Sequence, residues 1–211
     1  MEGLEPEPAA AVDLFGDRIP LARQFTAALA EQGEERGLIG PLEVPRLWTR
    51  HILNSAIAAP LFPSGGLVGD VGSGAGLPGL VLAIARPDVR FVLIEPMERR
   101  VTWLEEQVAA LGLENVEVLR ARAEDAGRYE GMLDAVTARA VSALRTLIPW
   151  VAPLARDGGE LILLKGMGAP AEIDAAQKAI RKYKLSEVRV DVLGEGILAE
   201  ETRVVRAVVR G

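Results

Sequence analysis

Apolar positions along the chain change rhythm near residue 64. From Ile19 to about Arg36 the apolar and Ala residues recur at helical spacing, and a second helical stretch runs from about Val44 to Ala59 behind Pro41 and Pro45. Leu67, Val68 and Val71 then form a short apolar run that ends in a glycine-rich turn, and Leu80 to Ala85 is helical up to Pro87. The remainder alternates. Runs at Phe91 to Ile94, Val116 to Leu119, Leu133 to Thr137 and Glu160 to Leu164 read as strands, and Val101 to Leu111, Leu144 to Leu154 and Ala171 to Tyr183 as helices. Such alternation calls for a parallel sheet with helices on both faces. Two further β-rich runs, Val188 to Leu193 and Arg203 to Val209, are joined by a loop containing Gly194 and Gly196. That loop is too short for a parallel crossover, which needs about a dozen residues or more, so the pair is predicted to be an antiparallel hairpin. The pattern predicts an α/β fold: a doubly wound, mostly parallel, seven-stranded sheet within one domain over 1–211. Residues 1–63 form an N-terminal helical extension and 64–211 the α/β core.

Composition narrows the function. The 211 residues are 49% hydrophobic and 26% charged, the balance of an ordinary globular protein. No apolar run approaches the ~18 residues of a membrane-spanning helix, and the acidic stretch Met1 to Pro8 lacks the regions of a signal peptide. A cytoplasmic protein with no membrane partner is expected. The chain has no Cys and a single His, His51, which leaves no imidazole or thiolate metal site, and no metal is expected. A net charge of −6 argues against coating nucleic acid with the whole surface. Any such contact must be a local patch: Arg46 with Arg50 and His51, Arg99 with Arg100, or Lys178, Arg181, Lys182 and Lys184, each of which has a solvated helix face as its alternative, the favoured reading for the last.

The informative segment is Asp70-Val71-Gly72-Ser73-Gly74-Ala75-Gly76-Leu77-Pro78-Gly79, between the first strand and its helix. Gly74, Gly76 and Gly79 satisfy the G-x-G-x-x-G spacing of a dinucleotide site, a weak signal alone. Asp70 changes the reading: its charge opposes a pyrophosphate but suits the ammonium-bearing part of S-adenosylmethionine. Glu95 ends the second strand, at a spacing that lets it accept hydrogen bonds from both hydroxyls of an adenosine ribose. With the terminal hairpin and no length for a separate substrate domain, the expected cofactor is S-adenosylmethionine, on a class I, Rossmann-like methyltransferase sheet.

Other positions should line the same cleft at the strand carboxyl ends. Ala123, Glu124 and Asp125 follow the third strand, where they either take the adenine edge or cap a helix. Arg139 follows the fourth and suits a carboxylate or phosphate. Arg46, Arg50 and Asn54 are spaced i, i+4, so their helix either meets RNA phosphates or simply covers the sheet. Lys165 ends the fifth strand as a phosphate contact or a snorkelling lysine. Trp48, Trp103 and Trp150 are candidate stacking platforms or core residues.

At these residues the chain resembles the ribosomal small-subunit methyltransferase G family, also called glucose-inhibited division protein B. The resemblance spans nearly the whole chain and is carried by Arg50-His51-Ile52-Leu53-Asn54-Ser55, the loop Asp70 to Gly79, Thr137-Ala138-Arg139-Ala140-Val141, and Leu163-Leu164-Lys165-Gly166. It implies methylation of nitrogen 7 of a guanine in the decoding-region loop of small-subunit (16S) ribosomal RNA, free or within a ribosomal particle. By matching position it implies cofactor contacts at Gly72, Leu77, Glu95, Pro96, Met97, Ala123, Glu124 and Arg139. The residues themselves add Asp70 and Gly74 to the cofactor site and Arg46, Arg50, His51, Arg139 and Lys165 to the RNA site. The family usually has Asp where this chain has Asn54, which removes a charge beside His51. Nitrogen 7 already carries an in-plane lone pair, so no catalytic base is expected. Oligomeric state is left open, with a monomer as the default.

Overall fold

In the computed structural model, which describes residues 3–211, the sheet has seven strands in the order β3-β2-β1-β4-β5-β7-β6. These are β1 (Leu67–Val71), β2 (Arg90–Ile94), β3 (Val116–Leu119), β4 (Leu133–Arg139), β5 (Ala155–Lys165), β6 (Leu185–Leu193) and β7 (Thr202–Val209). The first five are parallel, and β7 runs antiparallel to both β5 and β6. The order reverses at β1, so the carboxyl ends of β1, β2 and β4 open on the crevice where α/β sheets bind ligands.

Strand alternation explains the two layers. Phe91 and Leu93 face one core with Ile162, Leu164 and Val204, while Val92 and Ile94 face another with Leu161, Leu163 and Val205. The first core takes α1 (Ala10–Phe15), α2 (Ile19–Gln32), α4 (Gly79–Ala85) and α5 (Glu98–Leu111) through residues such as Phe15, Phe25, Leu80 and Trp103. The second takes α6 (Leu144–Val151), α7 (Ala169–Ala175) and α8 (Gln177–Lys182). The N-terminal helices are thus part of the main core rather than an appendage to it.

Three helical stretches differ from their sequence pattern. The first ends at Gln32 rather than Arg36, because the carbonyl of Gly33 accepts the Leu38 and Ile39 amides and Gly37 turns the chain with φ +63°. The stretch Val44 to Ala59 is not one helix. It passes through a 3₁₀ turn (Val44–Arg46), a π turn (Leu47–Ile52) and a single α turn, α3 (Leu53–Ala56), so Arg46, Arg50 and Asn54 do not form a continuous i, i+4 row. The span Ala171 to Tyr183 begins at Ala169 and breaks at Ala176 into α7 and α8. Among the described residues no helix is long and apolar enough to cross a membrane.

Candidate active site

Two cavities open beside the carboxyl ends of the strands, and they share the backbone at Ala140 and Val141. The smaller, of about 300 Å³, is lined by Gly72, Glu95, Pro96, Met97, Ala123, Glu124 and Trp150 among others. The larger, of about 1120 Å³, is lined by Arg50, Asn54, Arg139, Ser142, Lys165, Thr202 and Arg203 with their neighbours.

Glu95 organises the smaller cavity. Its side chain is almost fully buried, and its two oxygens accept the backbone amides of Gly74 at 2.9 Å and Met97 at 3.0 Å. Each oxygen retains a second lone pair, so the carboxylate is fixed by the backbone yet still able to accept. Gly72 adopts φ +72°, and a Cβ there would lie 2.7 Å from Val141. Only glycine lets the wall shared by the two cavities approach so closely. Trp150 and Ala123 supply an apolar surface beside Glu124. A buried acceptor for hydroxyls beside an apolar slot fits the adenosine end of S-adenosylmethionine.

Asp70, Gly74 and Leu77 stand elsewhere. Asp70 is fully buried behind the loop, where its Oδ2 accepts the Gly79 amide at 3.0 Å, and burial raises its pKa to about 7. Its role in the structure is to hold the loop from behind rather than to meet a ligand. Gly74 holds Glu95 through its amide, and Leu77 packs against the core. Trp103 is also buried, and its indole N–H donates to the carbonyl of Ala75 in the loop. Trp48 is buried as well, which leaves Trp150 as the one tryptophan at a cavity.

Ion pairs and hydrogen bonds between distant segments define the larger cavity. Arg139 does not line the smaller cavity. All four of its terminal N–H groups are taken, by the carbonyls of Arg50 and His51, the hydroxyl of Ser55 and Nδ1 of His51. Burial and the Arg50 charge lower its pKa to about 10. Glu43, which the sequence pattern did not single out, pairs with Arg46 at 2.6 Å, His51 at 2.6 Å and Arg50 at 3.7 Å. Arg46 is turned to Glu43 and does not reach the cavity. Lys165 is neither a free phosphate contact nor a snorkelling lysine: its Nζ donates to the Ser142 carbonyl and pairs with Glu172 at 2.8 Å. Thr202 closes the cavity with its hydroxyl on Asn54, a contact across the whole chain that no local motif announces. Arg50, 3.7 Å from Glu43, and Arg203, paired with Glu201 at 3.3 Å, are the other arginines that line it.

Residues 18–202 match the family described as rRNA small subunit methyltransferase G. The chain belongs to that family. A protein of that name from Leifsonia xyli subsp. xyli is 70% identical, covering 99% of each chain. Its namesake from Clavibacter michiganensis subsp. michiganensis is 66% identical over 97% of this chain and 96% of its own. Among solved structures, the tRNA (m1A58) methyltransferase TrmI of Aquifex aeolicus matches with a TM-score of 0.59 at 16% identity, covering 76% of this chain and 69% of its own. A putative S-adenosyl-L-methionine-dependent methyltransferase of Methanococcus maripaludis matches with a TM-score of 0.60 at 14% identity, covering 88% and 92%. The fold is therefore the class I, Rossmann-like methyltransferase fold expected from the strand pattern.

Proposed function

We propose that this chain methylates nitrogen 7 of one guanine in the decoding-region loop of small-subunit ribosomal RNA. It is an S-adenosylmethionine-dependent ribosomal RNA methyltransferase by family. The observation that carries the finer reading is the pair of cavities meeting at Ala140 and Val141: one holds a buried carboxylate suited to a ribose, the other is wide and rimmed by arginines.

When bound, S-adenosylmethionine supplies a methyl group on a cationic sulfur. Glu95 would accept from the ribose hydroxyls, and Trp150 with Ala123 would bound the adenine. Gly72 and Val141 keep the partition thin, so an acceptor base in the larger cavity reaches the donor. Arg50 and Arg203 draw RNA phosphates to the rim. These walls would align and dry the base, so that the nitrogen 7 lone pair forms the new bond to the methyl carbon as the carbon–sulfur bond breaks and its electron pair stays on sulfur. The side chains present agree with a reaction that needs no base. The only imidazole lone pair, on His51 Nδ1, accepts from Arg139, and Asp70 is sealed behind the loop. The substrate places the protein in the cytoplasm beside ribosomes.

The test is methyl transfer to small-subunit RNA, and to the intact particle, from a strain lacking the gene, with transfer RNA and total protein as controls. Label is expected in one guanine whose backbone becomes cleavable by the chemistry specific for 7-methylguanine. Label on an exocyclic amine, or only in transfer RNA or protein, would overturn the assignment.

A further inference from the structure

His51 is the only histidine in the chain, and both of its ring nitrogens are engaged. Nδ1 lies 2.6 Å from Nη2 of Arg139, and Nε2 lies 2.6 Å from Oε2 of Glu43. Arginine has donors and no acceptor, so Nδ1 must present its lone pair. The ring is then the neutral tautomer with its proton on Nε2, donated to Glu43. Glu43 cannot reach Arg139 as it reaches Arg46 and His51, and the imidazole spans the gap. Among the described residues no carboxylate pairs with Arg139 directly.

We infer that His51 is a positioning residue: as the Nε2–H tautomer it bridges Glu43 to Arg139, fixes the Arg139 guanidinium in the wall of the acceptor cavity, and releases it when protonated. A second proton could sit only on Nδ1. There it would set an N–H against an N–H, and a positive ring against a positive guanidinium, at hydrogen-bonding distance. One of the two must move, and the wall formed by Arg139 and Ala140 moves with it. The charged groups that face the ring are Glu43 and Arg50 from its own segment and Arg139 from β4, with Arg46 on the far side of the Glu43 pair. Glu5 accepts from Thr49 nearby and belongs to the same surroundings. Burial and the charge of Arg139 lower the pKa of His51, outweighing the opposing pull of Glu43. The bridge is therefore intact at neutral pH and opens on the acid side of the ~6.5 reference value.

The proposed methylation enters only the activity arm of the test. Nitrogen-15 spectra of the single histidine in the full chain should show the Nε2–H tautomer at pH 7 and a titration below 6.5. Arg139→Gln, which removes the positive charge but still offers a donor, should raise that titration point. A histidine already charged at pH 7, or one with its proton on Nδ1, overturns the bridge whatever the protein methylates. Single-turnover transfer to the ribosomal acceptor should be flat above about pH 7 and fall about tenfold per pH unit below the measured histidine pKa. His51→Gln, whose amide accepts on one side and donates on the other without titrating, should lose the acid limb and keep more activity than His51→Ala. His51→Ala should raise the acceptor KM with donor affinity unchanged. An acid limb that survives in His51→Gln, or equal activity of the Gln and Ala variants, refutes the positioning role. If no substrate is methylated at any pH while the spectra come out as expected, the proposed function fails and the bridge stands.

Discussion

The two cavities are built by different means. The smaller is made from backbone: strand ends, a turn of glycines, and two amides holding one carboxylate, with Gly72, Gly74 and Glu95 contributed by a single β-loop-α-β unit. The larger is made from side chains that arrive from far apart: Arg139 meets His51 across 88 residues and Thr202 meets Asn54 across 148. Backbone amides have fixed positions and no titration, so the donor side is preorganised. Arg139, Lys165 and Arg50 must instead be paired or aimed by partners, and the acceptor side depends on charge state and salt. A small, constant cofactor suits the first kind of construction. A large polyanion suits the second.

The largest expected break of that comparison is in the glycine turn. A Cβ at Gly79 would overlap Oδ2 of Asp70 and Cδ2 of Leu93. Gly79→Val should abolish binding of S-adenosylhomocysteine in calorimetry and lower Tm by several degrees, since overpacking costs about 1–3 kcal/mol or more. Gly74→Ala meets nothing closer than 3.7 Å and bears only the strain of φ +54°, about 1–2 kcal/mol. Equal effects of the two variants would show that packing behind the loop is unimportant.

Asp70 comes next. Its carboxyl is pushed up to about 7 in the fold from an ordinary 3.8, with burial the main cause. A raised folded pKa means the native state holds the proton more tightly, so this contribution to stability is complete below about pH 4 and is lost as pH rises to about 7. It amounts to at most about 4 kcal/mol. Urea unfolding from pH 4 to 8 should show a decline in the wild type that Asp70→Asn lacks. Parallel curves for the two proteins would place the titrating group elsewhere.

Glu95→Gln removes the charge but keeps the shape. Charged hydrogen bonds contribute about 1.5–3 kcal/mol, so donor affinity should fall by roughly tenfold to a hundredfold while RNA binding is untouched. A matching loss of RNA affinity would mean that the two sides are not independent.

The smallest effects separate two cations of the acceptor side. Arg50→Ala should flatten the salt dependence of RNA binding by about one unit, the signature of a single lost phosphate contact. Lys165→Ala should leave the slope unchanged, because Glu172 already balances that charge. Identical slopes for both variants and the wild type would remove Arg50 from the RNA surface.

Much of the fold was legible because each strand and most helices carry their own period. The run Val116 to Leu119 is the observed β3, and the terminal hairpin follows from loop length alone. The helix α1 escaped notice because Ala10–Phe15 is too short to show a periodic stripe. The stretch after Glu43 was misread as one helix because helical, 3₁₀ and π turns bury nearly the same residues. Within the donor side, the glycine turn and Glu95 could be placed by spacing along one unit, whereas Asp70 was placed on the correct loop but on its wrong side. Which way a strand-end side chain points depends on the neighbouring helix, here through the Gly79 amide.

The sequence by itself determined the strand order's raw material, the hairpin, the glycine loop and the family, all of which rest on local periodicity or on short contiguous motifs. Tertiary structure alone decided the acceptor side. Only folding brings Glu43 to Arg46 and His51, His51 to Arg139, and Lys165 to Glu172. A charge seen in sequence is a candidate contact for RNA. In the fold its neighbours decide whether it keeps an exposed face, as Arg50 does beside Glu43 at the rim, or is drawn in and neutralised, as Lys165 is.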